Sequence, residues 1–253
     1  MSGLIKASGS LLAILMIITM QLQTGRVAAA PIGLLSLDSA VIRASGNVAL
    51  FILADPGPVN LGVTNPRPPS VAYAALSDWT ATGFVYGMCL YMPQVMVLDS
   101  SASYVDQSDG RLKVNQRPVI AFGGPAVHAV VNYYEKARLA PLYFYYDQVA
   151  GQYQFRRSSD GTVAYSLLSS QVTENYDVLM VEAFTDNSGN TVFISYGIGF
   201  KGTYAMGKLL KSRIGPNISA YTYSWYIYTW KDLNGDSFPD LNEISTDPVA
   251  YGS

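Results

Sequence analysis

The chain has 253 residues, a formal net charge of −2, 13% charged side chains and 12% aromatic side chains. This length suffices for one large domain or two small ones with a substantial core. The low charge and the lack of a basic excess exclude an intrinsically disordered chain and a nucleic-acid-binding protein.

Residues 1–29 have the pattern of a signal peptide. Lys6 supplies the positive charge, Leu11–Met20 is an apolar run too short to span a bilayer comfortably, and Val27–Ala30 has the small residues of a cleavage site. We expect cleavage after Ala29, with an uncleaved N-terminal anchor as the alternative. The mature protein is then expected outside the cytoplasmic membrane.

Two further sequence features bear on export. Cys89 is the only cysteine, so the chain has no internal disulfide, and its apolar neighbours favour a buried, unreactive thiol. Asn217-Ile218-Ser219 is a glycosylation sequon, which fits an exported protein.

Residues 30–110 are predicted to form a small β-rich N-terminal region. Gly46-Asn47 interrupts an apolar stretch and predicts a hairpin turn. Residues 55–69 hold five of the 13 prolines and predict an irregular surface loop. The apolar stretch Gly83–Leu98 predicts two short strands on either side of Pro93.

Residues 111–253 are predicted to form an α/β domain. Pro118–Phe122 is a short apolar run typical of a buried strand, and Gly123-Gly124-Pro125 ends it. Apolar residues recur at helical spacing from Val127 to Tyr134, with a proline suited to the first turn. Pro141–Tyr146 reads as the next strand, which completes a strand–glycine turn–helix–strand unit.

A second unit of the same kind follows. Val178–Phe184 and Thr191–Tyr196 predict an antiparallel hairpin, Gly197–Gly202 a glycine turn, and Lys201–Lys211 a helix. Tyr221–Trp230 is the strongest predicted strand. Its side chains alternate between two faces, and both faces carry aromatic residues, which favours a sheet that is covered on both sides. The predicted fold class is therefore α/β, a mixed β-sheet with helices packed on it, preceded by the β-rich region.

The candidate catalytic motifs are weak. Gly197–Gly202 fits GxGxxG, but we expect these glycines to serve tight packing more than dinucleotide binding. His128 is the only histidine and Cys89 the only cysteine, so they cannot form a zinc site, and we expect His128 to be either a hydrogen-bonded or a surface histidine. Glu182 interrupts an apolar strand and is expected to face solvent. We predict no catalytic residue and no organic cofactor, although catalysis by a pair of carboxylates stays an open alternative.

The acidic stretch 232–243 has the oxygen spacing of a twelve-residue calcium loop. Its candidate ligands at positions 1, 3, 5, 7, 9 and 12 are Asp232, Asn234, Asp236, the Phe238 carbonyl, Asp240 and Glu243. Ser237 stands where glycine is usual, Pro239 lacks the N–H that would pair with a second loop, and a strand precedes the loop. We therefore predict a single structural Ca²⁺ site and no calcium sensor, with a solvated turn as the alternative.

The segment Arg117–Glu135, RPVIAFGGPAVHAVVNYYE, resembles the strand–GGP–helix segment of archaeal S-layer and S-layer-like surface proteins. In that family an asparagine is expected where this chain has His128. The segment Phe193–Gly207 resembles the family's second glycine unit, and the strand entering 232–243 resembles its closing segment. The resemblance covers roughly residues 110–247.

This resemblance implies an extracellular structural role in a cell-envelope lattice, with no catalytic residues. The implied partners are other envelope or S-layer subunits, or further copies of the chain, and no nucleic acid. Contact with a membrane is expected only through an uncleaved N-terminus. The alternative function is a secreted hydrolase or carbohydrate-binding module.

Overall fold

A computed structural model describes residues 29–43, 48–55, 71–90 and 94–253. The helices are α1 (Val71–Tyr86), α2 (Ala129–Lys136) and α3 (Phe200–Leu209). The strands are β1 (Ala30–Pro31), β2 (Leu50–Leu53), β3 (Val95–Leu98), β4 (Pro118–Phe122), β5 (Leu142–Asp147), β6 (Gln152–Arg157), β7 (Val163–Leu168), β8 (Tyr176–Thr185), β9 (Thr191–Gly197), β10 (Trp225–Lys231) and β11 (Ala250–Gly252).

In the described part of the chain, eight strands form one mixed sheet. Its order is β11-β10-β8-β9-β4-β2-β3, and the short β1 pairs with β8. Strands β3, β2, β4 and β9 are parallel, whereas β8, β10 and β11 continue the sheet in antiparallel pairs. A second, antiparallel sheet has the order β5-β6-β7. The predicted α/β fold with a mixed sheet is confirmed.

Both faces of the main sheet are covered. Helices α1 and α3 pack on one face, and α2 together with the β5–β7 sheet covers the other. The alternation of β10 fits this arrangement, because Tyr226, Tyr228 and Trp230 enter the first core, while Trp225 and Ile227 enter the second. The aromatic strand is therefore a central core element, as its two aromatic faces predict.

Most elements after residue 111 match the sequence predictions. The β4–α2–β5 unit, the β8–β9 hairpin, the helix after the second glycine turn and the closing strand all form close to the predicted positions. The hairpin pairs Leu179 with Gly197 at one end and Thr185 with Thr191 at the other. The β6–β7 pair lies in a stretch for which no strand was predicted.

The structure differs from the predictions in residues 30–110. Residues 83–86 were expected in a strand but end the helix α1. Residues 40–42 were expected to begin the hairpin but lie in the helical turn Asp38–Ile42. Strands β2 and β3 lie inside the main sheet, beside β4. The predicted turn at Gly46-Asn47, residues 56–69 of the proline-rich loop, Pro93 and residues 1–28 of the signal peptide lie outside the described residues. None of the described helices combines the length and the apolar character that a bilayer crossing requires.

Candidate functional site

The carboxyl ends of the parallel strands β3, β2, β4 and β9 meet at one edge of the sheet. After β2 the chain moves to β3 on one side, and after β4 it moves to β9 on the other. The crevice between β2 and β4 is therefore a topological switch point, where open α/β sheets usually hold their ligands. We take this edge as the candidate site.

Asp99, which directly follows β3, is the central residue on the β2 side of the edge. The side chain is fully buried, and its carboxylate accepts hydrogen bonds of 2.8 Å from the N–H groups of Asp55 and Ala129. Ala129 is the first residue of α2, so the negative charge faces the positive end of that helix. Asp99 thereby ties β3 to β2 and to α2, a role that sequence reasoning missed.

His128, the residue before α2, is also fully buried at this edge. Its Nε2 lies 3.1 Å from the carbonyl oxygen of Ile52 at the end of β2, and because a carbonyl can only accept, Nε2 donates. Its Nδ1 lies 3.9 Å from Asp99. Of the two alternatives predicted for His128, the structure shows the hydrogen-bonded histidine and not the surface one.

The first glycine turn, Gly123-Gly124-Pro125, packs against α1. Gly123 has a φ of +119°, and a Cβ at this position would lie 2.4 Å from Asp78 Oδ2. Asp78 is 1% exposed and comes from the middle of α1. A glycine is therefore required at residue 123 both by its backbone conformation and by the neighbouring carboxylate.

The second glycine turn, Gly197–Gly202, holds a carboxylate of the chain itself. Asp177 accepts hydrogen bonds from the N–H groups of Val178, Gly199 and Gly202, at 2.7–3.1 Å. These glycine amides lie at the start of α3, where an anion is favoured by the helix dipole. The anion-binding end of the GxGxxG segment is thus filled internally, and its glycines have the packing role that we expected.

The two glycine turns face each other across a small cavity. It has a volume of about 100 Å³ and is lined by residues of both turns, by Asp78 and by Tyr196. Binding pockets for organic ligands usually have volumes of about 300–1,000 Å³. The cavity therefore has room for a few small atoms or waters, but not for a sugar chain or a peptide.

Two buried glutamates bond to β5, the strand that contributes Phe144 to the wall of this cavity. Glu135 of α2 accepts a 2.5 Å hydrogen bond from the Tyr196 hydroxyl and a 2.8 Å bond from the Phe144 N–H. Glu182 of β8 accepts a 2.8 Å bond from the Leu142 N–H and is fully buried. The expectation that Glu182 faces solvent is wrong, because the β5–β7 sheet covers this face of β8.

The acidic loop, Asp232–Glu243, folds around its own amide groups. Asp232 accepts hydrogen bonds from the N–H groups of Gly235 and Ser237, at 2.7 and 2.9 Å. Asn234 and Asp236 each accept a bond from the N–H two residues further on. Ser237, at position 6, has a φ of +57°, the conformation that glycine usually supplies there.

Glu243, at position 12, closes the acidic loop. Its Oε1 accepts from the Leu233 N–H at 2.9 Å, and its Oε2 accepts from the Asp240 N–H at 3.1 Å and the Trp230 Nε1 at 3.2 Å. Asp240, at position 9, bonds to Lys208 of α3 at 3.1 Å. Positions 1, 3 and 5 therefore suit a cation, whereas positions 9 and 12 also anchor the loop. Within the residues that the structure describes, no three His, Cys, Asp or Glu side chains form a metal-binding group.

A larger depression lies on the outer surface between α1, α3 and the acidic loop. This groove, called the α1–α3 groove below, has a volume of about 460 Å³, and its walls include Leu76, Phe200, Tyr204 and Phe238. Three of these side chains are about half exposed or more: Leu76 58%, Phe200 48% and Phe238 53%. Tyr204 and Phe238 have ring centroids 4.9 Å apart, and Lys208 lies 5.4 Å from each ring.

Cys89 is a half-buried free thiol. Burial raises the pKa of the Cys89 thiol to about 11, so the thiol stays protonated and weakly nucleophilic at neutral pH. Its position beside the α1 core supports the unreactive role predicted from its neighbours.

Comparison with known proteins gives no match: no protein-family model, no curated protein and no solved structure matches this chain.

Proposed function

We propose that this chain is an exported structural protein of the cell surface, a component of an S-layer or other envelope assembly. Three observations support the proposal. Both glycine turns are filled by the chain's own carboxylates, and the cavity between them is too small for an organic substrate. Several exposed apolar side chains gather elsewhere, in the α1–α3 groove.

The α1–α3 groove is the observation that carries the proposal. Exposed apolar side chains that gather in one groove mark a contact surface more often than scattered ones do. Lys201 lines the groove, and Asp236 of the acidic loop is exposed beside Ser237 at its other wall. In a symmetric contact between two copies of the chain, Lys201 of each copy can face Asp236 of the other. The assembly partner that we propose is a further copy of this chain.

Calcium at the acidic loop is the second part of the proposal. The ion would be held by the side chains of Asp232, Asn234 and Asp236 and the Phe238 carbonyl, with Asp240 and Glu243 completing the set. Phe238 and Pro239 also line the α1–α3 groove, so a bound ion would stiffen one wall of the contact surface. A structural Ca²⁺ suits the calcium-rich exterior of a cell.

The assembly proposal is tested by sedimentation velocity of the purified mature protein over a range of concentrations. The wild type should associate, and a Leu76→Ser plus Phe238→Ser variant should stay monomeric. Val149→Ser is the matched control, because Val149 is fully exposed on the β5–β6 turn, away from the groove. The proposal fails if the groove variant associates like the wild type. It also fails if the native protein is cytoplasmic with residues 1–29 attached.

A carbohydrate-binding module is the second candidate. The groove sets the rings of Tyr204 and Phe238 beside the hydroxyls of Thr80 and Ser237, a pairing of flat apolar faces and hydrogen-bonding groups that suits a sugar. In that case the wild type binds envelope polysaccharide in a co-sedimentation assay as a monomer. The groove variant then loses this binding, and association of the chain is unchanged.

A further inference from the structure

The junction between the two sheets holds a pair of buried carboxyl groups. Glu135 projects from α2 and Glu182 from β8, and the two approach the same strand, β5. Glu135 is 3% exposed and Glu182 is fully buried. Each carboxyl accepts one backbone N–H of β5, from Phe144 and from Leu142, at 2.8 Å in both cases. One edge of β5 pairs with β6. The two bonds to the glutamates attach its other edge to α2 and to β8.

The two carboxyl groups differ in how their remaining oxygens are satisfied. The second oxygen of Glu135 accepts from the Tyr196 hydroxyl. The second oxygen of Glu182, Oε1, has no hydrogen-bond partner among the described residues. Glu135 can therefore carry a negative charge with both oxygens bonded, whereas an ionised Glu182 leaves a buried charged oxygen without a donor.

The surroundings also disfavour two charges. Burial, followed by the nearby Glu135, raises the pKa of Glu182 well above its usual value. Burial raises the pKa of Glu135 to about 7, while Tyr196, the Phe144 N–H and Arg138 act to lower it. Tyr196 is itself kept neutral, because burial and Glu135 raise its pKa. At neutral pH the pair is thus most stable with at least one proton, located on Glu182.

We propose that Glu135 and Glu182 form a proton-dependent latch, which holds the β5–β7 sheet on the main sheet while the pair keeps a proton and releases it when the pair is fully ionised. Two adjacent buried charges repel each other and lie in a poorly solvated junction. Separation of β5 from α2 and β8 admits water to both groups. The latch is therefore a device that lets a rise in pH loosen one layer of the fold.

The direction of the pH dependence follows from the raised pKa values. The folded protein binds these protons more tightly than the unfolded chain does. The stabilising contribution is complete below the unfolded value of 4.5, and it is lost as the pH rises through about 7 for Glu135 and higher for Glu182. The latch is closed in acid and at neutral pH, and it opens in alkali.

Amide hydrogen exchange on the full mature chain at pH 6 and pH 9 tests the latch. In the wild type the protection factors of the Leu142 and Phe144 amides should fall about tenfold or more between these pH values. The β8 and β9 amides should lose much less protection. Glu182→Gln keeps an acceptor for the Leu142 N–H but cannot ionise, so this variant should hold the β5 protection at pH 9.

Two controls make the result decisive. Asp177→Asn removes another buried acid, which bonds to Val178 and to the second glycine turn and not to β5, and it should leave the pH dependence of β5 unchanged. If Glu182→Gln does not fold, Glu135→Gln removes the same repulsion and serves in its place. The latch is overturned if wild-type β5 protection is equal at pH 6 and pH 9, or if it falls equally in the glutamine variants.

Discussion

The carboxylate of Asp177 accepts a 2.7 Å hydrogen bond from the backbone N–H of Gly202. The same oxygen receives the N–H of Gly199 at 3.0 Å, so the first turn of α3 is built around a side chain from β8. A helix N-terminus attracts anions whether they belong to a ligand or to the protein. Here the anion is internal, and the glycines allow it to approach.

Gly202→Ala is the sharpest test of this packing. A Cβ at residue 202 would lie 2.5 Å from Asp177 Oδ2 and 2.8 Å from the Gly197 Cα, so the turn must shift. We expect a loss of about 1–3 kcal/mol in the free energy of unfolding, measured by urea denaturation.

Gly83→Ala is the matched control for that experiment. Gly83 lies inside α1, and a Cβ there would meet nothing within 4 Å. The same substitution should stabilise the protein at residue 83 by about 0.5–1 kcal/mol, because alanine favours the helix. Equal effects at both sites would show that the turn around Asp177 is not tightly packed.

Ionisation of Asp177 should also lower the free energy of unfolding as the pH rises from about 4 to about 7. Burial raises the pKa of its carboxyl from 3.8 to about 7, although the N–H groups of Gly199 and Gly202 act to lower it. The folded state therefore holds this proton more tightly, and its contribution is lost as the pH rises through 7. The Asp177→Asn variant cannot ionise at this residue, so its stability should lack this part of the pH dependence.

The measurement for Asp177 is the difference in free energy of unfolding between wild type and Asp177→Asn at pH 4.5, 6 and 8. This difference isolates one acid, because the two buried glutamates titrate in both proteins. We expect the difference to shrink as the pH rises. A difference that is constant across this range would contradict the raised pKa.

The strands and helices after residue 111 could be predicted because each carries a local pattern. The helix α1 could not, because its apolar residues lie on every side: Leu76 and Trp79 are exposed, whereas Ala81 and Val85 are buried. A helix of this kind gives no periodic signal. It packs against both the sheet and α3, which a single sequence does not reveal.

The candidate site was less predictable than the fold. The glycine turns were found from the sequence, but their occupants, Asp177 and Asp78, lie 20 or more residues away along the chain. Glu182 was found as an anomaly in an apolar strand, and only the position of β5 over β8 explains its burial. Partners that are distant in sequence decide the role of a polar residue, and local pattern does not show them.

Asn217 should carry a glycan if the protein is exported through a glycosylating pathway. Asn217 and Ser219 are exposed, while Ile218 between them is buried and fixes the segment. The Asn217 side chain donates only one hydrogen bond, to the Arg213 carbonyl at 3.0 Å, which costs about 1 kcal/mol to release.

Mass spectrometry of the native protein checks the glycan. The tryptic peptide 214–231 contains Asn217 and should be heavier than its sequence mass. The same peptide from an Asn217→Gln variant should have its sequence mass. An unmodified peptide from protein that is located at the cell surface would exclude the glycan while leaving the surface location intact.

Asp236 and Glu243 of the acidic loop should differ in what they contribute to stability with and without calcium. Asp236 is exposed and bonds only within the loop, so Asp236→Ala should remove calcium-dependent stabilisation with little effect in chelator. Glu243 is 4% exposed and accepts the Trp230 Nε1 and three backbone N–H groups. Glu243→Ala should therefore lower the melting temperature even in chelator.

The measurement is the melting temperature of each variant with millimolar calcium and with chelator. Calcium should raise the wild-type value, since a ligand that binds only the folded state stabilises it. The Asp236→Ala plus Glu243→Ala variant should lose this response and also melt lower than wild type in both buffers. If chelation leaves the wild type unchanged, the loop is a turn without calcium, held by its own hydrogen bonds, of which Glu243 makes the most.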